Sequence, residues 1–282
     1  MLSGVWRSYS SVETGSLDKV FNLGNRRVET NKFLRRFAVY LTLLVSPAAW
    51  SAEPLTVAVA ANLKYAFDEL AAAYKRETGL EVKGVANSSG KITAQVKSGA
   101  PFDVFLSADS EYPNTLYQEG YAVAPARIYA YGLLVLWTRK GLDMSKGLQV
   151  LTDHAVRKVA ISNPKVAPYG RAALESLDYY KLHAAVERKL VYAESIAQVN
   201  QYVDIKAADI GFTAKSIVLA PETAGKGEWV DVPRESYAPI AQGMVILKHG
   251  TQTNREAARK FFDFVLSEKA RAIFSRYGYL LP

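Results

Sequence analysis

The spacing of apolar positions changes abruptly near residue 62. Residues 55–61 form an apolar, partly β-branched run behind Pro54, which predicts a buried strand. From there Leu63, Phe67, Leu70 and Tyr74, with Ala66 and Ala71, recur at three- and four-residue steps, the stripe of an amphipathic helix. Asn62 stands at the switch and is predicted to cap that helix, its side-chain oxygen accepting from the first free amides. The alternation then repeats. Strands are predicted at 80–85, 102–109, 131–137, 159–162, 190–192, 208–213 and 242–247. Helices are predicted after Ser88 or Ser89 (with Ile92, Ala94 and Val96), from Arg171 to about His183, and from Ile196 to Val203 behind Ser195. The end of the chain is strongly helical, through Ala258, Phe261, Phe262 and Val265 and then Ala270, Ile273 and Phe274. Such alternation means an α/β fold with mainly parallel strands, and the length suits two lobes.

The beginning of the chain follows other rules. Residues 1–31 show no periodicity. They are expected to be unstructured, and a start site placed too far upstream would account for them. Lys32-Phe33-Leu34-Arg35-Arg36 is a basic cluster, and Phe37 to Trp50 is an apolar run of the length of an export signal, too short to span a bilayer comfortably. Cleavage after Ser51 places small residues at both required positions, Ala49 and Ser51, so residues 1–51 are a leader with the signal at about 32–51. The mature protein is expected to be exported, and the resemblance given below implies the periplasm as its location.

Charge and composition narrow the chemistry. The 282 residues carry a net +8, but residues 1–52 hold seven Lys/Arg and three acids, leaving 28 bases against 24 acids, a net of +4. There is no run of five basic residues, so no nucleic-acid partner is expected. The absence of cysteine excludes disulfides, thiolate metal sites, a cysteine nucleophile and a lipid-carrying cysteine. His154, His183 and His249 are too widely spaced for a metal-ligand pattern. Asp103 and Asp109 lie at opposite ends of a predicted strand, which suits capping and turn roles rather than a catalytic acid pair.

Four strand-to-helix turns share one feature: Ala61-Asn62, Ser88-Ser89, Tyr169-Gly170 and Ser195-Ile196. Each points free backbone amides and a positive dipole end beyond a strand, where open α/β sheets bind ligands and where anions are favoured. Lys64, Lys91 and Arg171 follow closely, with either the solvated rim or the ligand as their target.

The run Val59-Ala60-Ala61-Asn62-Leu63, the turn Ala86-Asn87-Ser88-Ser89-Gly90, the segment Gly99 to Asp109 and the closing Tyr277-Gly278-Tyr279 together resemble the periplasmic molybdate-binding proteins of ABC importers, over about residues 53–282. The resemblance implies the two-lobed type II periplasmic-binding-protein fold, each lobe a mainly parallel sheet flanked by helices, with the ligand cleft between lobes. Lobe 1 is expected at 53–131 and 243–282 and lobe 2 at 132–242, with crossings near Tyr131 and Gln242. It implies oxyanion ligands at Asn62 and Ser89 by side chain and amide, at Tyr169, and at Ile196 by backbone amide, while Ala61 could give only an amide where some members have threonine. Some members also carry a binding tyrosine three residues after the glycine of the Ile-Gly strand end, where this chain has Ala214. Those members have a small residue at the position of Tyr169, so the phenol has changed turns and the role of the Tyr169 hydroxyl stays open. The implied activity is capture of molybdate, and of tungstate, which is nearly equal in size, for a membrane-embedded ABC permease. No enzymatic activity, catalytic residue, bare metal cation or cofactor is implied, and a monomer is expected. A receptor for another tetrahedral oxyanion such as sulfate or phosphate is the alternative. An enzyme on the same fold is the third reading, though no nucleophile–base pair or Gly-rich phosphate loop supports it.

Overall fold

Strand β1 (Leu55–Ala60) is buried on both faces, and its neighbours explain why. Val57 and Val59 pack on one side with Leu63, Phe67, Leu70 and Tyr74, while Ala58 packs on the other with Ile92, Val96, Phe105 and Leu116. An apolar run with both alternating sets buried is what an interior parallel strand requires. The computed structural model describes residues 54–282, so the leader, the signal segment and its cleavage site lie outside the described residues.

The first sheet has the order β2-β1-β3-β10-β4, built from β1, β2 (Val82–Asn87), β3 (Val104–Leu106), β4 (Arg127–Gly132) and β10 (Ile240–Ile246). The second has the order β7-β6-β8-β5-β9, from β5 (Leu134–Thr138), β6 (Val159–Ser162), β7 (Leu190–Ala193), β8 (Ile210–Ala214) and β9 (Glu228–Asp231). The sheets are mixed in the same way. The first three strands of each are parallel, the fourth (β10 or β5) is antiparallel to both neighbours, and four of five strands therefore share a direction. The expected two-lobed α/β architecture is present. The chain passes between sheets at Leu133 and again over residues 232–239.

Helices α1 (Lys64–Thr78), α7 (Arg255–Val265) and α8 (Glu268–Arg276) cover one face of the first sheet, and α2 (Ser89–Lys97) and α3 (Glu111–Gln118) the other. Tyr74 and Phe261 meet edge to face with centroids 5.3 Å apart, a geometry that contributes about 0.5–1.5 kcal/mol beyond area burial. The second sheet is flanked by α4 (Pro168–Tyr179), α5 (Ile196–Asp204) and the short α6 (Lys215–Val218), around a core that includes Trp137, Ile161 and Phe212. Ala60, Ala61 and Ala108 of the first lobe belong to that same core, so apolar packing continues from one lobe into the other.

Several boundaries differ from the sequence reading. The expected strand at 131–137 is two strands in two sheets, broken at Leu133. The expected strand at 102–109 shortens to Val104–Leu106, because Asp103 and Asp109 serve as side-chain anchors at its two ends. Asp103 accepts from the Thr56 amide at 2.7 Å, from Asn254 and from His249, while Asp109 accepts from the Tyr112 amide at 3.2 Å. The strand expected at 80–85 runs from Val82 to Asn87, Ala94 is exposed rather than on the buried stripe, and α4 begins three residues early because Pro168 suits a first helical turn. His183 and His249 sit against Asp178 and Asp103.

Candidate functional site

At the end of β1 the chain enters a single 3-10 turn, Ala61–Leu63, before α1 begins. All three residues are buried. Asn62 does not cap α1, which corrects the sequence expectation: neither the turn nor α1 has a side-chain cap, and the carboxamide points elsewhere. Its Nδ2 lies 2.9 Å from the Tyr279 hydroxyl, 3.0 Å from Gln242 Oε1 and 3.5 Å from the Tyr169 hydroxyl. Two hydrogens cannot serve three acceptors, so the two shorter bonds hold it and its side-chain oxygen has no partner among the described residues. The Asn62 carbonyl accepts from the Tyr279 hydroxyl at 3.1 Å and from Ser216 Oγ of α6 at 2.9 Å.

These contacts belong to a buried neutral network. Gln242 Nε2 donates to the Tyr169 hydroxyl at 3.2 Å, and the Tyr129 hydroxyl, 2.9 Å from the Ser107 carbonyl and 3.2 Å from Gln242 Oε1, gives its one hydrogen to the nearer. Burial pushes the phenols of Tyr129, Tyr169 and Tyr279 well above their ordinary range, so they remain neutral. The network joins both lobes beside the crossing at Gly132, where an added Cβ would lie 2.1 Å from the Tyr169 hydroxyl. The hydroxyl of Tyr169 therefore faces the crossing strands, which leaves its backbone as the group turned to the helix start.

The remaining expected residues occupy helix starts. Ser89 is the first residue of α2, with Ser88 at the cap position making no side-chain cap bond. Ser89 Oγ accepts from the Ala108 amide at 3.0 Å, which leaves its own O–H free to donate. Tyr169 is the second residue of α4, directly after a proline that has no N–H. Ile196 is the first residue of α5, whose cap Ser195 does accept from the Gln198 amide, at 3.3 Å. Amides at such positions have no acceptor within their own helix. Gly170 lets α4 start close to β6, since a Cβ there would sit 2.0 Å from the Ser162 carbonyl oxygen.

The structure brings these turns together. Ala61, Tyr169 and Ile196 share one apolar cluster, to which Ala108, the partner of Ser89, also belongs. The turn at Ala61–Leu63 packs on α5 and on α6. The Gly90 amide donates to the Val166 carbonyl at 2.9 Å, closing the start of α2 onto the turn before α4. A cavity of about 440 Å³ opens beside Ala61 and Ser195, lined also by Lys64, Asn87, Glu194 and Asp204; of the expected site residues Ala61 alone lines it, while Asn62, Ser89, Tyr169 and Ile196 are buried and do not. Two of the three neighbouring cations are taken up by acids, whereas Lys64, which lines the cavity, has no ion pair among the described residues. Lys64 is exposed and lies over the Tyr65 ring, Lys91 binds Glu194 at 2.6 Å, and Arg171 binds Asp109 and Glu111.

The sequence did not single out Gln242, Tyr129 or Ser216 as site residues. Tyr279 carried a hint only as part of the closing Tyr277-Gly278-Tyr279 motif. A lone glutamine in a strand has no local pattern that marks it, and only its complete burial among phenols identifies it.

Comparison with known proteins places the chain. The family model described as bacterial extracellular solute-binding protein matches residues 55–280. The molybdate-binding protein ModA of Azotobacter vinelandii is 37% identical over 87% of this chain and 97% of its own, and that of Rhodobacter capsulatus is 38% identical over 88% and 96%. The solved periplasmic molybdate-binding protein of Azotobacter vinelandii superposes with a TM-score of 0.76 at 35% identity, covering 81% of this chain and 99% of that one. Shared fold, the family-model match and this level of identity lead to one assignment: the chain belongs to the bacterial extracellular solute-binding proteins, in the family of the ModA molybdate-binding proteins.

Proposed function

We propose that this protein captures molybdate, and tungstate with it, outside the cytoplasmic membrane and delivers it to the membrane-embedded permease of an ABC importer, acting as a monomer and a receptor rather than an enzyme. The observation that carries the reading is the 37–38% identity to ModA proteins over nearly their whole length, on a chain whose candidate turns offer uncharged donors. In this reading the ligand set is the amides of Ala61, Asn62, Tyr169 and Ile196, and the amide and hydroxyl of Ser89. The Asn62 carboxamide, committed to Gln242 and Tyr279, orients its turn instead.

The physics favours a fully deprotonated dianion. A buried dianion without partners is prohibitively costly, and each hydrogen bond to a charged group contributes about 1.5–3 kcal/mol, so five or six give on the order of 10 kcal/mol gross. Helix-end dipoles add to that field. The proposed donors include no carboxylate to accept a proton, which disfavours protonated phosphate. Sulfate is smaller and would overstretch donors set for molybdate.

Titration calorimetry of the mature protein with molybdate, tungstate, sulfate and phosphate tests this. Sub-micromolar binding of the first two and weak binding of the others is expected. Preference for sulfate or phosphate would overturn the assignment.

A further inference from the structure

Among the described residues, ion pairs that join the two lobes are few and close together. Lys91 of α2 reaches Glu194 before α5, and Arg171 of α4 reaches Asp109 and, at 3.3 Å, Glu111 at the start of α3. The other ion pairs lie within one lobe, such as Lys75–Glu81, Arg139–Asp204 and Lys269–Glu77. The two cross-lobe pairs are not equivalent. The side chains of Lys91 and Glu194 are 36% and 72% exposed, a setting in which ion pairs contribute little. Those of Arg171 and Asp109 are 33% and 13% exposed, and the guanidinium also lies over the Tyr112 ring, 5.5 Å from its centroid.

Two neutral contacts run alongside. The Tyr112 hydroxyl donates to the Lys165 carbonyl at 3.2 Å, and the Gly90 amide to Val166 at 2.9 Å. With the Arg171 pair, these join lobe 1, at the start of α2, the turn after β3 and the start of α3, to the lobe 2 turn 163–167 and the first turn of α4. Arg171 sits two residues after Tyr169 on that same turn of helix.

We propose that Arg171, held by Asp109 and Glu111 across the cleft, is a positioning residue that latches the lobes closed and sets the lifetime of the bound anion. The proposal rests on the cleft being the anion site. Arg171 acts without touching the ligand: two carboxylates take up its charge, and the bond fixes the start of α4, with the Tyr169 amide, against lobe 1. The pair is made only where the lobes meet, so its loss acts on opening and release rather than on encounter. Burial raises the carboxyl of Asp109 above its ordinary range, while the two acids raise Arg171 against the opposing effect of its own burial, so the guanidinium stays charged.

The test measures release and association of molybdate by stopped flow in wild type, Arg171→Met, Asp109→Asn and the double variant. Release is expected to quicken roughly tenfold in each single variant, the size typical of a half-buried charge-assisted bond, with association changed less than about twofold. The double variant should be no worse than either single one, Arg171→Lys should recover part of the loss, and Lys91→Met should change release by less than about twofold. Wild-type release rates in both single variants, or effects that add fully in the double, would overturn the latch. A second arm needs no ligand. The native chain has no cysteine, so spin labels at Gln118→Cys and Glu187→Cys report the distance between lobes. Arg171→Met should shift that distribution to longer distances, and an unchanged distribution would also overturn the proposal. If wild type binds no molybdate, the functional reading fails while this second arm still decides the latch.

Discussion

Replacing Gly90 by alanine adds one methyl group where backbone of one lobe meets backbone of the other. Gly90 lies in the first turn of α2 and has ordinary helical geometry, so alanine there costs the isolated helix nothing and favours it by about 0.5–1 kcal/mol. The cost arises across the cleft. The new Cβ would stand 2.9 Å from Val166 Cα, which belongs to the other lobe's main chain and cannot swing aside as a side chain does. It would also stand 2.7 Å from the Tyr112 hydroxyl, which can. Restoring ordinary contact needs a shift of roughly 0.5–1 Å, which stretches the Gly90–Val166 bond from 2.9 Å past useful length. Losing that bond costs about 1 kcal/mol and overpacking about 1–3 kcal/mol, together about 2–4 kcal/mol against the closed form only. At about 1.4 kcal/mol per tenfold, molybdate affinity should fall roughly 30- to 700-fold. Calorimetry gives the affinity, and thermal unfolding without ligand gives the control, which should not fall below wild type. Wild-type affinity in Gly90→Ala would refute the closed-cleft reasoning, and a lowered ligand-free midpoint would show that the methyl group injures the lobe itself.

Ser89→Ala removes both the acceptor of the Ala108 amide and a proposed ligand donor, so molybdate affinity should drop more than about tenfold and stability by about 1–2 kcal/mol; unchanged calorimetry would remove Ser89 from the site. Asn62→Ala breaks the bonds to Gln242 and Tyr279 inside the interlobe network, and a stability loss of about 2–3 kcal/mol should lower the melting midpoint by roughly 5–10 °C, an effect that a mere surface cap would not produce. The buried phenols give a pH signature. Their folded pKa values are raised, so the network's contribution is full below the unfolded value near 10 and declines as pH rises beyond it, toward the folded values. Urea unfolding should therefore show little change attributable to these tyrosines from pH 7 to 9 and a steep loss of stability above about 10, and replacing Tyr129 by phenylalanine should reduce that alkaline slope.

Periodicity carried the secondary structure wherever one element met one uniform environment. The stripe Leu63, Phe67, Leu70 and Tyr74 is buried as read, as are Ala258, Phe261, Val265, Ala270, Ile273 and Phe274 at the end, while Phe262 is half-buried. It failed at Tyr131–Trp137, where an unbroken apolar run conceals a passage between two sheets. Hydropathy senses burial and not which core does the burying. The fate of Arg171 was open for a related reason: a cation on a helix rim looks the same in sequence whether water or a distant carboxylate receives it, and Asp109 lies 62 residues away.

The sequence alone determined the alternating α/β pattern and the four helix starts that present free amides, because each depends on neighbours within a few residues; the lack of any cysteine chemistry followed from composition and the family resemblance from motifs spread over residues 53–282. The tertiary structure decided what the side chains at those starts do. It turned the Asn62 carboxamide away from capping and into a network with Gln242 and Tyr279, 180 and 217 residues distant. It also paired Arg171 with an acid on the opposite lobe. Backbone donors at a helix start follow from local geometry, whereas the partner of a buried polar side chain is chosen by whatever the fold brings within about 3 Å of it.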